Sequence, residues 1–184
     1  MPFLNGRCLV AMPGIADDRF EQAVIYVCAH TQEGAMGLTI NRPIKEISFN
    51  NLLSQLNMEP MSAPELPPVL AGGPVDVVRG FVLHSPEYVR EATLPMGDLT
   101  SLTVTTEVIR DISKGAGPRR YLVTLGYASW EAGQLEDEIK QNAWLAVDAS
   151  DDLLFEQPMD QRWKNALKKL GIDPMNLSSL QGKA

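Results

Sequence analysis

The chain is short of the residues that most often carry chemistry. It has only two histidines and two cysteines, and its 23 acidic residues outnumber 16 Lys and Arg, for a net charge of −7. That acidic balance argues against a nucleic-acid binder, because tracking phosphates needs clustered cations. The best basic clusters, Arg119-Arg120 and Lys164 with Lys168-Lys169, are too sparse for such a footprint and read as solvated faces. Cys8 and Cys28 sit among apolar neighbours, as small hydrophobes in a reducing compartment do, and form no disulfide framework. Long apolar runs are missing too. The longest, residues 23–29, is far below the ~20 residues that span a bilayer. The apolar stretch after Arg7 is too brief for a secretory signal core, so a cytoplasmic location and no membrane contact are expected.

Catalytic signatures are equally scarce. Gly34-x-x-Gly37 lacks the third glycine and the following helix of a dinucleotide fingerprint, and no phosphate-binding Gly-Lys-Ser/Thr loop occurs. No CxxC or HExxH supports a metal site, and no cofactor is expected. Cys28 and His30 share a strand face by the two-residue period, so with His84 they are the one conceivable zinc set, which no ligand spacing backs. Gly126-Tyr127-Ala128-Ser129-Trp130 has its serine one place late for a nucleophile elbow, and both histidines precede it; Ser129 reads as a helix N-cap. Glu131, Glu136, Asp137 and Glu138 read as a solvated helix face.

What is present is a chain of 184 residues, enough for one domain burying about 70% of its unfolded surface. Apolar and turn patterns predict strands over 8–12, 23–30, 36–41, from 69, over 79–85, 101–105, 120–127 and 143–147. Residues 23–30 (AVIYVCAH) have no polar face, which predicts a strand covered on both sides. Helices are predicted over 49–57 behind Ser48, 106–114, 130–140 and 159–170. Leu52, Leu53 and Leu56 are expected on one buried stripe of the first, and Trp163, Leu167 and Leu170 on that of the last. Prolines at 60, 64, 67 and 68 make 58–68 a loop. Gly34 and Gly37 are expected to serve a hairpin. No linker divides residues 1–184, and the irregular alternation favours a single α+β domain with a mixed sheet.

Several segments combine into a recognisable pattern. They are Ala11-Met12-Pro13, His30 with Glu33-Gly34-Ala35-Met36-Gly37-Leu38, Ile40-Asn41-Arg42-Pro43, Gly72-Gly73-Pro74-Val75 and Arg79-Gly80-Phe81-Val82-Leu83-His84. Leu125-Gly126-Tyr127-Ala128 follows, then Trp130-Glu131-Ala132-Gly133-Gln134-Leu135, Asn142-Ala143-Trp144-Leu145, Leu154-Phe155, Trp163 and Leu170-Gly171. In this order they resemble the bacterial YqgE/AlgH family over nearly the whole chain. The resemblance implies one α+β domain whose mixed, partly barrel-like β-sheet is surrounded by helices. It implies no catalytic residues; one branch is labelled a regulator of alginate production and transcription.

The residues favour a non-enzymatic protein that binds a protein partner or a small anionic ligand, with regulation as its use. His30, Asn41, Arg42, Gly72, Gly73, His84 and Trp130 are the candidate ligand- or partner-binding residues; the sequence leaves open whether they line one concave surface or are scattered through the core. On one surface, Arg42 would supply a planar donor fork and the glycine amides an anion rest. The alternative is a small hydrolase or transferase with His84 or His30 as general base. A direct DNA-binding regulator is the least favoured reading.

Overall fold

The computed structural model describes residues 2–174. Thirteen regular elements follow in chain order: β1 (Arg7–Ala11), β2 (Val24–Thr31), β3 (Gly34–Thr39), α1 (Phe49–Gln55), β4 (Val69–Ala71), β5 (Val75–His84), β6 (Thr93–Pro95), β7 (Ser101–Thr103), α2 (Thr106–Ser113), β8 (Tyr121–Glu131), α3 (Gln134–Lys140), β9 (Trp144–Asp148) and α4 (Met159–Lys169). A 3₁₀ turn (Asp18–Phe20) precedes β2, and a π-helical turn (Asp152–Glu156) precedes α4.

Eight strands run in the order β6-β7-β5-β8-β3-β2-β1-β9, and β4 joins β8 in parallel, so the sheet is mixed. β8 is the shared strand. Its first half pairs with β5 and β4, and its second half with β3. Between the halves Gly126 adopts φ 75°, where a side chain is strained, and the sheet as a whole curls into a half-barrel.

Both faces are covered, as the unbroken apolar run in β2 predicts. Val24, Tyr26 and Cys28 pack under Trp163, Ala166 and Leu167 of α4. Ile25 and Val27 pack against Leu4, Leu135, Trp130 and Trp144 on the other face. A third cluster joins Phe49 and Leu53 of α1 and Val108, Ile109 and Ile112 of α2 to Val82 and Val123. Each such large side chain stabilises the fold by roughly 2 kcal/mol when buried. Ser48 caps α1 in a reciprocal box with Asn51. Arg162 is buried on α4, where its guanidinium donates to the carbonyls of Ile40 and Gln157; burial pulls its pKa down to about 10.

Several expectations need correction. Residues 126–131 continue β8, and α3 starts only after Gly133. Ser129 is thus an exposed strand residue and no N-cap, and Trp130 is buried in the sheet. The alternation Ala128 and Trp130 in, Ser129 and Glu131 out, is a strand signal, and the edge of β3 supplies the pairing partner. Cys28 and His30 do not share a face. A bulge between Val27 and Ala29 shifts the register, leaving Cys28 in the α4-side core while His30 turns toward Leu4 and α3. Leu56 and Leu170 lie at helix ends and stay 36% and 37% exposed. The short β6, stopped by Pro95, has no clear pattern in the sequence.

Candidate functional site

A cleft of about 450 Å³ opens where the 3₁₀ turn, the start of β5, the end of β8, α3 and β9 converge. Half-buried Phe20 gives it an aromatic wall, backed by the almost fully buried Trp130 and Trp144. The Trp130 and Trp144 rings meet edge to face at 6.0 Å, and Phe20 meets Trp144 at 5.6 Å. Both indoles aim their N–H at one oxygen. Trp130 Nε1 and Trp144 Nε1 donate to Glu138 Oε2 at 2.9 and 2.7 Å, while Gln134 Nε2 donates to Oε1 at 2.8 Å. Three donors thus fix one carboxylate on the wall of the cleft. On the opposite side Arg19 grips Asp17 through Nη2 at 2.7 Å. That hydrogen-bonded guanidinium holds the Asp17 carboxyl below the usual range.

A second hollow of about 260 Å³ adjoins the first, sharing Arg19, Phe20 and Pro74 and adding Arg42 and Gly73. Arg42, Gly73 and Trp130 therefore line one continuous depression. Arg42 spends its fork on backbone: Nη2 donates to Glu21 O at 2.5 Å and Nη1 to Arg19 O. Asn41 accepts from Val24 N–H and donates to Gln22 O, both at 2.9 Å. Together they clip the 3₁₀ turn onto the sheet and so set one wall of the cleft. Gly72 N–H is likewise used, donating to Leu125 O at 2.8 Å, so the expected glycine anion rest loses that donor. A Cβ on Gly73 would fall 2.1 Å from Tyr127 C, so glycine is needed there for backbone to cross β8.

The histidines lie elsewhere. Through the pairing His30↔Ala35↔Trp130, His30 is level with Trp130 on β8, whereas His84 is level with Tyr121. Nine residues of strand, roughly 30 Å, separate the two rows. His30 Nδ1 accepts from Leu4 N–H at 3.1 Å, which places its proton on Nε2, donated to Glu136 Oε1 at 3.1 Å. His84 Nδ1 faces the Ser85 carbonyl at 2.9 Å, so Nε2 accepts from Thr103 Oγ1 at 2.8 Å. Both rings are buried and both nitrogens of each are engaged. Of the seven candidates, Arg42, Gly73 and Trp130 thus share one depression, and the histidines lie away from it.

His84 gives a stability prediction. Desolvation by burial lowers its pKa from the ordinary 6.5, so folding favours the neutral ring. That contribution is complete above about pH 6.5 and is lost as pH falls below it, where the unfolded chain takes up the proton first. Thermal melts from pH 8 to pH 5 are expected to show a loss that His84→Gln reduces; an identical pH profile for the variant refutes the assignment.

Arg19, Pro74, Glu138 and Trp144 join the site without a motif of their own; of the acidic residues expected on a solvated helix face, Asp137 is exposed on α3 and Glu131 is exposed at the end of β8, whereas Glu136 and Glu138 are half-buried. Glu136 holds His30 and Glu138 holds two indoles. The available signal was chemical: two tryptophans flanking a short helix need acceptors for their N–H groups if buried.

The fold and cleft together define an α+β protein with a curled mixed sheet and an aromatic-walled depression beside β8. The chain belongs to the AlgH-like family, whose model matches residues 8–175. It is 50% identical over 182 residues to a UPF0301 protein of Rhodospirillum rubrum, covering 99% of this chain and 95% of that one. A UPF0301 protein of Methylocella silvestris is 48% identical over 190 residues, covering 99% and 92%. Among solved structures, the solution structure of the AlgH protein from Pseudomonas aeruginosa matches with TM-score 0.81 at 39% identity, over 99% of this chain and 95% of that one. A crystal structure from Corynebacterium diphtheriae matches with TM-score 0.73 at 18% identity, over 96% and 90%, and shows the fold alone. No helix among the described residues is long and apolar enough to cross a membrane.

Proposed function

We propose that residues 1–184 form one domain of a non-enzymatic cytoplasmic protein that binds a small molecule in the Trp130–Trp144 cleft and serves regulation through that binding. One observation carries the reading: a concave site of about 450 Å³ whose aromatic wall is fixed in advance by the shared carboxylate of Glu138. Prearranged walls bind without a cost for ordering side chains, and the volume lies in the range of small-molecule pockets. The charged residues on the wall are Asp17, Glu138 and Arg19, with Arg42 engaged by carbonyls next door. This balance favours a neutral or cationic molecule with an apolar, flat body over the anion suggested by Arg42 in the sequence. The internal hydrogen bonds of both histidines weigh for binding and against their use as general bases.

Trp130 and Trp144 are built-in reporters. Screening a library of cytosolic metabolites is expected to yield a compound that shifts their fluorescence, with the shift and affinity reduced in Arg19→Ala and Trp130→Phe. The reading falls if such a library produces no shift, or if amide chemical-shift changes map a bound compound away from residues 15–20, 74–75 and 130–144.

A further inference from the structure

A different face carries an independent observation. Between the pairs Val75↔Tyr127 and Gly80↔Leu125, residues 76–79 of β5 stand opposite Gly126 alone and bulge outward. Asp76 has φ 45°, in the left-handed region that Asp and Asn enter more readily than other side chains, and it turns the chain out of the strand there. Gly126 supports the bulge from below: a Cβ there would lie 2.5 Å from Gly73 O and 3.2 Å from Val77 Cα, so only glycine lets the bulge fold so close. The tip displays Val77 and Val78, 60% and 83% exposed, and Val78 is the most exposed large hydrophobic among the described residues. Beside it runs an apolar groove of about 200 Å³ between α1 and α2, lined by Leu52, Leu56, Phe81, Val104 and Ile109. Leu56 and Val104 remain 36% and 40% exposed, extending the patch. A glycine-supported bulge that pushes two valines into solvent beside an apolar groove marks a contact surface.

The charges identify the occupant. Asp76 and Arg79 bracket the two valines, giving the order acid, valine, valine, base. No salt bridge among the described residues includes either of them. That order is self-complementary. Turned by a two-fold axis, one copy sets its Asp76 against Arg79 of the other and its Arg79 against the other's Asp76, with valines between. We propose that this face joins two copies of the chain around such an axis, the Val77–Val78 tip of each set against that of the other and the adjoining grooves covered at its flanks. The interface is separate from the Trp130–Trp144 cleft and does not depend on what that cleft binds.

Sedimentation of the full chain over a concentration series is expected to show a reversible dimer. Val78→Asp is expected to leave monomer only. Asp76→Arg and Arg79→Asp each place like charges together twice, which is expected to weaken the dimer at least about tenfold. The double variant restores opposite charges and is expected to return to within about threefold of the parent. Unchanged circular dichroism and melting of these surface variants secures the comparison. A chain that stays monomeric at concentrations on the order of 100 µM overturns the proposal. So does a dimer indifferent to Val78→Asp, or a double variant as weak as the singles.

Discussion

Replacing Gly73 by alanine is expected to destabilise the protein by about 3 kcal/mol, the upper range for forcing an atom into filled space. The new methyl carbon would stand 2.1 Å from Tyr127 C and 2.3 Å from Ala128 N. These are backbone atoms of the central strand and cannot rotate aside. Relief would need a shift of β8, which pairs with three other strands. For a chain of this length the loss corresponds to roughly 6 to 12 °C in melting temperature. Gly80→Ala is the control: its nearest neighbour is a Leu125 methyl at 3.9 Å and its φ is ordinary. Urea unfolding of the two variants checks the argument, and equal midpoints would refute it. Because Pro74 and Val75 line the cleft, Gly73→Ala is also expected to disturb any ligand there.

Glu138→Ala is expected to cost about 3 kcal/mol as well, for a different reason. It leaves the indole N–H of Trp130, 6% exposed, and of Trp144, 1% exposed, without their acceptor. A buried donor stripped of its partner loses the hydrogen bond while keeping the desolvation penalty. Glu138→Gln keeps one oxygen where both indoles converge but turns a second donor toward Gln134, so about half the loss is expected. The Trp130→Phe background removes one of the stranded donors, and there the cost of Glu138→Ala should shrink. A Glu138→Ala variant within about 0.5 kcal/mol of the parent, the scale of a neutral surface change, would show that water replaces the carboxylate freely. In that event the aromatic wall is not fixed in advance, and the case for a preformed ligand site weakens with it.

Much of the fold was legible because it rests on local chemistry. The apolar run of β2, the glycines of the β2–β3 hairpin, Ser48 before α1 and the proline-rich loop each answer to a short-range rule, and each stands where expected. The functional surface was legible only in part. Arg42, Gly73 and Trp130 do share a depression, yet Arg42 serves as a clip for the 3₁₀ turn, and Asn41 does the same from behind. Which carbonyls Arg42 would find depends on how residues 19–24 fold back, a contact across about twenty residues that no spacing encodes. The histidines illustrate the same limit. Each closes an apolar strand before a hydroxyl residue, but β8 holds their rows nine residues apart.

By itself, then, the sequence determined the alternation of strands and helices, the two-sided burial of β2 and the family, because side-chain periodicity and turn residues act over a few positions. Only the tertiary structure decided that residues 126–131 extend β8, that a bulge turns His30 away from Cys28, and that Glu138 joins two tryptophans. Those outcomes come from strand pairing and buried hydrogen-bond demand, which are satisfied between segments distant in the chain.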